Sequence, residues 1–156
     1  MNNFKKGFTL IEVLLVLLVI SLLSLGIMNG YSNYNSQNSL KENGKQVKSI
    51  ILETRSNSIS QKLELGWQIE LNADNIVLQD QNAENKRTFS LPQKIQITNI
   101  SLNSGGNIIA FDKMTGNTTN YGTGSNDLAF KLKNLNIGNE MLFSLRQDGK
   151  LEIINE

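Results

Sequence analysis

Residues 8–28 read FTLIEVLLVLLVISLLSLGIM, and this stretch decides how the rest of the chain can fold. Sixteen of its 21 residues are large and apolar, and the other five are Thr9, Glu12, Ser21, Ser24 and Gly26. An α-helix rises about 1.5 Å per residue, so the stretch would span roughly 31 Å, which matches a bilayer hydrocarbon core of about 30 Å. We therefore predict a transmembrane helix over residues 8–28.

The residues on either side of this helix indicate its orientation in the membrane and whether it is removed from the mature protein. Lys5 and Lys6 precede it, and because basic flanks stay in the cytoplasm, we expect the C-terminal part of the chain on the other side of the membrane. The apolar stretch is longer than that of a typical secretory signal, and residues 29–32 form a poor signal-peptidase site. We expect the helix to remain in the mature protein.

Glu12 is the exceptional residue of the helix, because a carboxylate inside an apolar helix costs a few kcal/mol and is usually paired. If the chain were cut after Gly7, Phe8 would carry a free α-amine, whose reference pKa of about 7.7–8.0 makes it largely cationic. The amine of one subunit and the carboxylate of its neighbour would then neutralise each other. We interpret Glu12 as a group that fixes the register between packed helices.

The segment KGFTLIEVL, residues 6–14, resembles the leader junction of type IV pilins and type II secretion pseudopilins. The resemblance implies that residues 1–7 are a prepilin leader peptide, that a prepilin peptidase cleaves between Gly7 and Phe8, and that Phe8 is then N-methylated. It also implies that Glu12 pairs with a neighbouring N-terminus when the subunits assemble into a filament.

Helical spacing continues after this stretch, although the composition turns polar. Apolar and small residues fall on a single stripe, with charged residues on the other faces: Ile27, Tyr31, Tyr34, Leu40, Gly44, Val47, Ile51 and Ile59. We predict one helix from Phe8 to about Gln61, whose amphipathic second part, residues 29–61, packs on a globular head. Tyr31 and Tyr34 are interpreted as anchors at a membrane interface.

From residue 62 onward the apolar period drops to two, which is typical of half-buried strands. The predicted strands are residues 63–71, 76–78, 87–91, 95–102, 108–111, 127–132, 141–145 and 150–154. Residues 147–150 read QDGK between two alternating runs and predict a hairpin. The predicted fold class is therefore α+β: a long N-terminal helix on a C-terminal antiparallel β-sheet head, residues 62–156.

Two segments of the head, residues 109–116 and 143–151, resemble the minor pseudopilins of the H type, and equally the minor pilins of type IV and competence pili. The partners that this resemblance implies are other pilins or pseudopilins, the prepilin peptidase and an inner-membrane platform protein. The implied location is the inner membrane, with the head outside the cytoplasm, and a filament after assembly.

Composition excludes several chemistries. With no His and no Cys, the His- and Cys-based zinc sites, thiolate nucleophiles, disulfides and triads are absent. The carboxylate pairs Asp112 with Asp127 and Glu140 with Asp148 lie in predicted turns, so we expect no enzyme and no cofactor. A calcium loop from Asp112, Asn117 and Asp127 matches no standard spacing, so we expect no metal site either.

Two alternatives to a filament subunit stay open. A DNA-binding minor pilin of a transformation pilus would need clustered basic residues, and the candidates are Lys131, Lys133, Arg146 and Lys150. The 13 basic and 13 acidic residues from Asn29 onward balance, so we expect neither nucleic acid nor a small molecule as a partner. The other alternative is a plain membrane-anchored binding domain.

Overall fold

A computed structural model describes residues 8–60, 65–102, 106–119 and 128–155. The chain divides into two units, one that ends at Asn35 and one that runs from Ser36 onward. The elements are one helix and eight strands, in this order: α1 (Leu10–Ile59), β1 (Trp67–Leu71), β2 (Asn75–Asp80), β3 (Lys86–Ser90), β4 (Ile95–Ser101), β5 (Ile108–Phe111), β6 (Leu128–Asn134), β7 (Glu140–Leu145) and β8 (Leu151–Asn155).

Helix α1 begins directly after Thr9, whose carbonyl and hydroxyl oxygens accept the backbone N–H of Glu12 at 3.1 and 3.4 Å. This is the geometry of an N-cap, and Thr-x-x-Glu is the spacing of a capping box. No proline interrupts the helix, since the single proline of the chain is Pro92. The helix ends at Ile59, two residues before the predicted end, and Gln61 lies outside the described residues.

Within the unit from Ser36 onward, one face of α1 is buried against the sheets. Four of the predicted stripe positions are buried: Leu40, Gly44, Val47 and Ile51. The prediction is wrong for Ile59, which is 43% exposed and does not belong to the buried stripe. Tyr31 and Tyr34 lie in the other unit and are 70% and 64% exposed.

Two polar residues, Thr54 and Ser58, extend the buried stripe toward the end of the helix, and both are 0% exposed. The Thr54 hydroxyl donates to the Ile50 carbonyl at 2.7 Å, and the Ser58 hydroxyl accepts the Trp67 N–H at 2.9 Å. Because each hydroxyl has a partner, burying it carries little penalty. The Ser58 contact also fixes the start of β1 against the helix.

The strands form two antiparallel four-stranded sheets, sheet A in the order β3-β2-β1-β5 and sheet B in the order β4-β6-β7-β8. Both contribute to one hydrophobic core with the helix, in which the rings of Phe130 and Phe143 stack with centroids 4.8 Å apart. Backbone bonds also tie the sheets together, since the Ile97 N–H donates to the Ala73 carbonyl at 2.9 Å. The predicted α+β class is confirmed, and the division into two sheets is new.

The strand predictions agree with the structure to within a few residues. The predicted strand 108–111 coincides with β5, β4 and β7 differ by one residue at one end, and β8 begins and ends one residue later than predicted. The larger differences are at β1, which begins at Trp67 and not at residue 63, and at β2, which extends to Asp80, two residues beyond the predicted end.

Asp80 is a buried carboxylate that organises the turn between β2 and β3, and it is 0% exposed. Its oxygens accept the backbone N–H groups of Glu84 and Asn85 at 3.0 and 3.1 Å and the Asn85 side-chain amide at 2.6 Å. These hydrogen bonds, that of the Asn85 side chain above all, hold the pKa of Asp80 below its ordinary value of 3.8. The charged form is therefore part of the folded hairpin.

We predict that Asp80→Asn lowers the urea midpoint of unfolding at pH 7. Because the folded-state pKa lies below that of the unfolded chain, the stabilisation is fully present above about pH 4 and is lost as the pH falls through the folded-state pKa. The midpoints of wild type and variant should therefore converge in acid. Glu84→Gln, an exposed change in the same turn, should leave the midpoint unchanged, and equal midpoints for Asp80→Asn and wild type at pH 7 would contradict this role.

Candidate assembly site

The described residues of the N-terminal unit, 8–35, present a large apolar surface. Phe8, Leu10 and Ile11 are 83%, 79% and 73% exposed, and the large apolar side chains from Val13 to Leu23 are each at least 44% exposed. A contiguous surface of this kind marks a contact with lipid or with another protein. Among the described residues no helix has the length and apolarity that a membrane span requires. The transmembrane helix over residues 8–28 stays a prediction.

Most polar side chains of this apolar surface are hydrogen-bonded within their own helix. The Ser21 hydroxyl donates to the Leu18 carbonyl and the Ser24 hydroxyl donates to the Ile20 carbonyl, both at 2.8 Å. Hydroxyls that bond back to the preceding turn need no partner from another chain. Thr9 caps the start of the helix, so its hydroxyl is used as well.

Glu12 differs from these hydroxyls. Its backbone N–H is bonded to Thr9, but its carboxylate has no hydrogen bond or ion pair with any residue that the structure describes. The side chain lies between exposed apolar neighbours, where burial without a counter-charge is costly. Among the described residues, Glu12 therefore differs from Thr9, Ser21 and Ser24, whose hydroxyls are hydrogen-bonded. Gly7, the other residue of the predicted junction, lies outside the described residues.

Comparison with known families identifies the same segment. Residues 2–28 match the family described as the prokaryotic N-terminal methylation motif. The N-terminal segment therefore carries the leader and methylation motif of type IV pilin-like proteins, as the KGFTLIEVL segment indicated. A search of curated proteins and a search of solved structures each return no match for the chain.

The four basic residues of the candidate nucleic-acid patch all lie near carboxylates. Glu140 accepts both Lys131 at 2.9 Å and Lys133 at 3.1 Å, and these two lysines hold the pKa of Glu140 below its ordinary value, Lys131 contributing most. At the turn between β7 and β8, Arg146 lies 4.0 Å from Asp148 and Lys150 lies 3.2 Å from Glu152. Lys131 and Lys133 therefore share one carboxylate, and Arg146 and Lys150 each lie near a carboxylate of their own.

Asp112 serves the turn that follows β5. One of its carboxylate oxygens accepts the N–H groups of Met114 and Thr115 at 2.9 and 3.0 Å and the Thr115 hydroxyl at 3.1 Å. These bonds lower the pKa of Asp112, with the Thr115 N–H as the largest cause. Among the described residues no three acidic side chains come together as a metal site, and Asp127 lies outside them.

Arg55 lies between two turns of the head, the turn that follows β5 and the β7–β8 turn. Its guanidinium donates to the carbonyls of Gly116 at 3.2 Å and Asp148 at 3.1 Å, so one helix side chain joins the turn after β5 to the β7–β8 turn. Gly116 and Gly149 have φ of 67° and 75°. A Cβ on Gly149 would lie 2.5 Å from both Arg55 Nε and the Gly116 carbonyl oxygen. The two glycines therefore make room for the arginine.

We predict that Gly149→Ala destabilises the head more than Gly138→Ala. Gly138 also has a positive φ, of 73°, but nothing lies within 4 Å of its Cβ position, so alanine there meets only backbone strain of about 1–2 kcal/mol. Alanine at 149 adds the clash and should displace a hydrogen bond worth about 0.5–1.5 kcal/mol. Urea unfolding measures both variants, and equal losses for the two would show that the Arg55 contact does not require glycine.

Proposed function

We propose that this chain is a minor pilin or pseudopilin. In this proposal the chain is cleaved after Gly7, N-methylated at Phe8 and assembled into a type IV pilus-like or type II secretion pseudopilus filament, or into its tip complex. The observation that carries the proposal is the Glu12 carboxylate, which has no partner among the described residues although it lies in an exposed apolar helix. The methylation motif over residues 2–28 supports it independently.

The proposed mechanism is assembly and not catalysis. The apolar segment holds the subunit in the inner membrane, with the head outside the cytoplasm. When a neighbour's α-amine approaches Glu12, the two opposite charges neutralise each other where water is excluded, so the favourable register is the one that pairs them. A methylated amine keeps its positive charge, so methylation of Phe8 is compatible with this contact.

The partners of the chain in this proposal are other pilins or pseudopilins, the prepilin peptidase and an inner-membrane platform protein. The exposed side chains from Phe8 to Leu23 support a helix-to-helix contact, because only lipid or other apolar helices would cover them. The proposal assigns the chain a structural role and no enzymatic one.

DNA binding is not the function proposed. A protein that holds DNA neutralises phosphates with Lys and Arg and releases the bound counterions. Lys131 and Lys133 share the carboxylate of Glu140, and Lys150 lies against Glu152, so phosphate would compete with these carboxylates. No contact in the described residues favours a DNA-binding receptor over a filament subunit.

The first prediction from this proposal concerns processing. Mass spectrometry of the mature protein should show an N-terminus at methylated Phe8, because the Gly7–Phe8 bond is the proposed cleavage site. Gly7→Leu should block cleavage, since a bulky side chain then occupies the position before the scissile bond. A mature protein that still begins at Met1 would contradict the proposal.

The second prediction concerns Glu12→Leu. This change removes an insertion cost of up to a few kcal/mol, so membrane insertion and cleavage should be retained. Assembly should fail, because the neighbour's amine would be left unpaired in an apolar setting. Fractionation and crosslinking to partner pilins measure the two steps separately.

Ser24→Leu is the matched control for this experiment. It also replaces a polar residue of the same helix by leucine, but the Ser24 hydroxyl is bonded to the Ile20 carbonyl and needs no external partner. Ser24→Leu should therefore enter filaments like wild type. If Glu12→Leu enters filaments equally well, the pairing of carboxylate and amine is wrong for this protein.

A further inference from the structure

The two sheets have four edge strands, and unpaired backbone groups at an edge can pair with another chain. At two of these edges, β5 and β4, backbone groups already form hydrogen bonds within the fold. At β5, the Ala110 carbonyl accepts the Thr119 N–H at 2.9 Å. At β4, the N–H groups of Ile95 and Ile97 donate to the carbonyls of Pro92 and Ala73 at 2.8 and 2.9 Å. The strand β4 also carries a register shift between Thr98 and Ser101.

The third edge, β3, is protected by charge. It reads KRTFS, and Lys86 and Arg87 are both exposed. Arg87 forms an ion pair with Glu53 of the helix at 2.6 Å and lies over the Phe89 ring at 4.5 Å. Two adjacent basic side chains on an edge strand repel the same strand of a second copy, which is a common protection against edge pairing.

The fourth edge, β8, has neither kind of protection among the described residues. It reads LEIIN, with no basic residue and no proline. The Arg146 N–H donates to the Lys150 carbonyl at 2.9 Å, so positions 146 and 150 are a hydrogen-bonded pair of the β7–β8 hairpin. Hydrogen-bonded and non-hydrogen-bonded pairs alternate along an antiparallel ladder. In the register of β7 and β8, the backbone groups of Glu152 and Ile154 are therefore the next ones that bond to β7. The N–H and C=O groups of Leu151, Ile153 and Asn155 therefore point away from the sheet.

The side chains of β8 add apolar surface to this open edge. Leu151 and Ile153 are partly buried and pack at the rim of the core, while Ile154 on the other face is 49% exposed. Glu152 is matched by Lys150 at 3.2 Å, so the strand carries no uncompensated charge near its start. The edge is thus suited to a strand that is itself apolar at alternate positions.

We propose that β8 pairs antiparallel with β8 of a second copy of this chain, about a two-fold axis at Ile153. This inference does not rest on the proposed function, because it uses only the edges of the head. In this register Ile153 lies opposite Ile153, Leu151 opposite Asn155, and Glu152 opposite Ile154. All five residues of the strand are paired, and the two copies of sheet B become one continuous eight-stranded sheet.

Charge and the number of paired residues favour a two-fold axis at Ile153 over an axis at an adjacent residue. An axis at Glu152 would place Glu152 opposite its own copy, and like charges directly opposite each other are destabilising. An axis at Ile154 would pair only residues 153–155 of the strand. An axis at Leu151 would set Ile153 against the turn at Gly149 and leave the end of the strand unpaired. The axis at Ile153 avoids both problems.

Disulfide trapping of the full chain in detergent micelles tests this pairing. The chain has no cysteine, so each variant carries a single thiol. Ile153→Cys should form a disulfide-linked dimer on mild oxidation, because hydrogen-bonded cross-strand partners have Cα atoms about 5.5 Å apart, within the range of a disulfide. Trapping is preferred to a measurement of mass alone, because the apolar helix could bring copies together by itself.

Two matched variants separate strand pairing from random collision. Ile154→Cys is the register control, since its Cα would lie about 7–8 Å from its own copy while Glu152 is retained, and Ile153→Cys should give about fivefold more dimer. Thr88→Cys is the edge control, at the centre of the charged strand β3, and should give equally little dimer.

A further variant removes one of the backbone donors that the pairing uses. Adding Asn155→Pro to Ile153→Cys deletes an N–H that points away from β7, so it should reduce trapping without breaking the β7–β8 ladder. The proposal is overturned if Ile153→Cys gives no dimer, if either control matches it, or if Asn155→Pro leaves the yield unchanged.

Discussion

The head depends on the contact between one face of α1 and the inner faces of two antiparallel sheets. Each sheet has one apolar face, and neither could be stable in water without a cover. Val47 and Ile51, both 0% exposed, supply that cover from the helix. The same contact places Arg55 where it reaches two turns at once and Ser58 where it accepts the first N–H of β1. The positions of the turns thus follow from the packing of the helix.

Two carboxylates of the chain show how a polar group acquires a structural or a functional role. Asp80 is buried, and its own hairpin supplies three donors, so its charge contributes to the stability of the fold. Glu12 lies on an exposed apolar helix and receives no donor from the residues described. The first carboxylate is satisfied when the chain folds. In the proposed function, the second is satisfied when the α-amine of a neighbouring subunit arrives.

Local patterns in the sequence predicted the strands and the N-terminal motif. The buried polar residues and the ion pairs were not predicted, because they depend on residues that are distant in the sequence. The period of two located the strands, and the methylation motif over residues 2–28 is contiguous, so both could be recognised without a structure. Thr54, Ser58 and Asp80 are polar and were not expected to be buried, because their partners are known only once the chain is folded. The match between Glu140 and two lysines likewise depends on the register of β6 and β7, which no local pattern fixes.

The two proposed contacts, between β8 strands and between Glu12 and an N-terminal amine, differ in symmetry. The symmetry of each contact determines how many subunits it can join. A two-fold contact between β8 strands uses the same surface on both copies, so it closes on itself and joins only two chains. The pairing of Glu12 with an N-terminal amine joins two different groups, and each subunit retains one group of each kind for its next neighbour. Such a contact can repeat indefinitely. The helix contact can therefore extend a filament, whereas β8 pairing would join two heads and then stop.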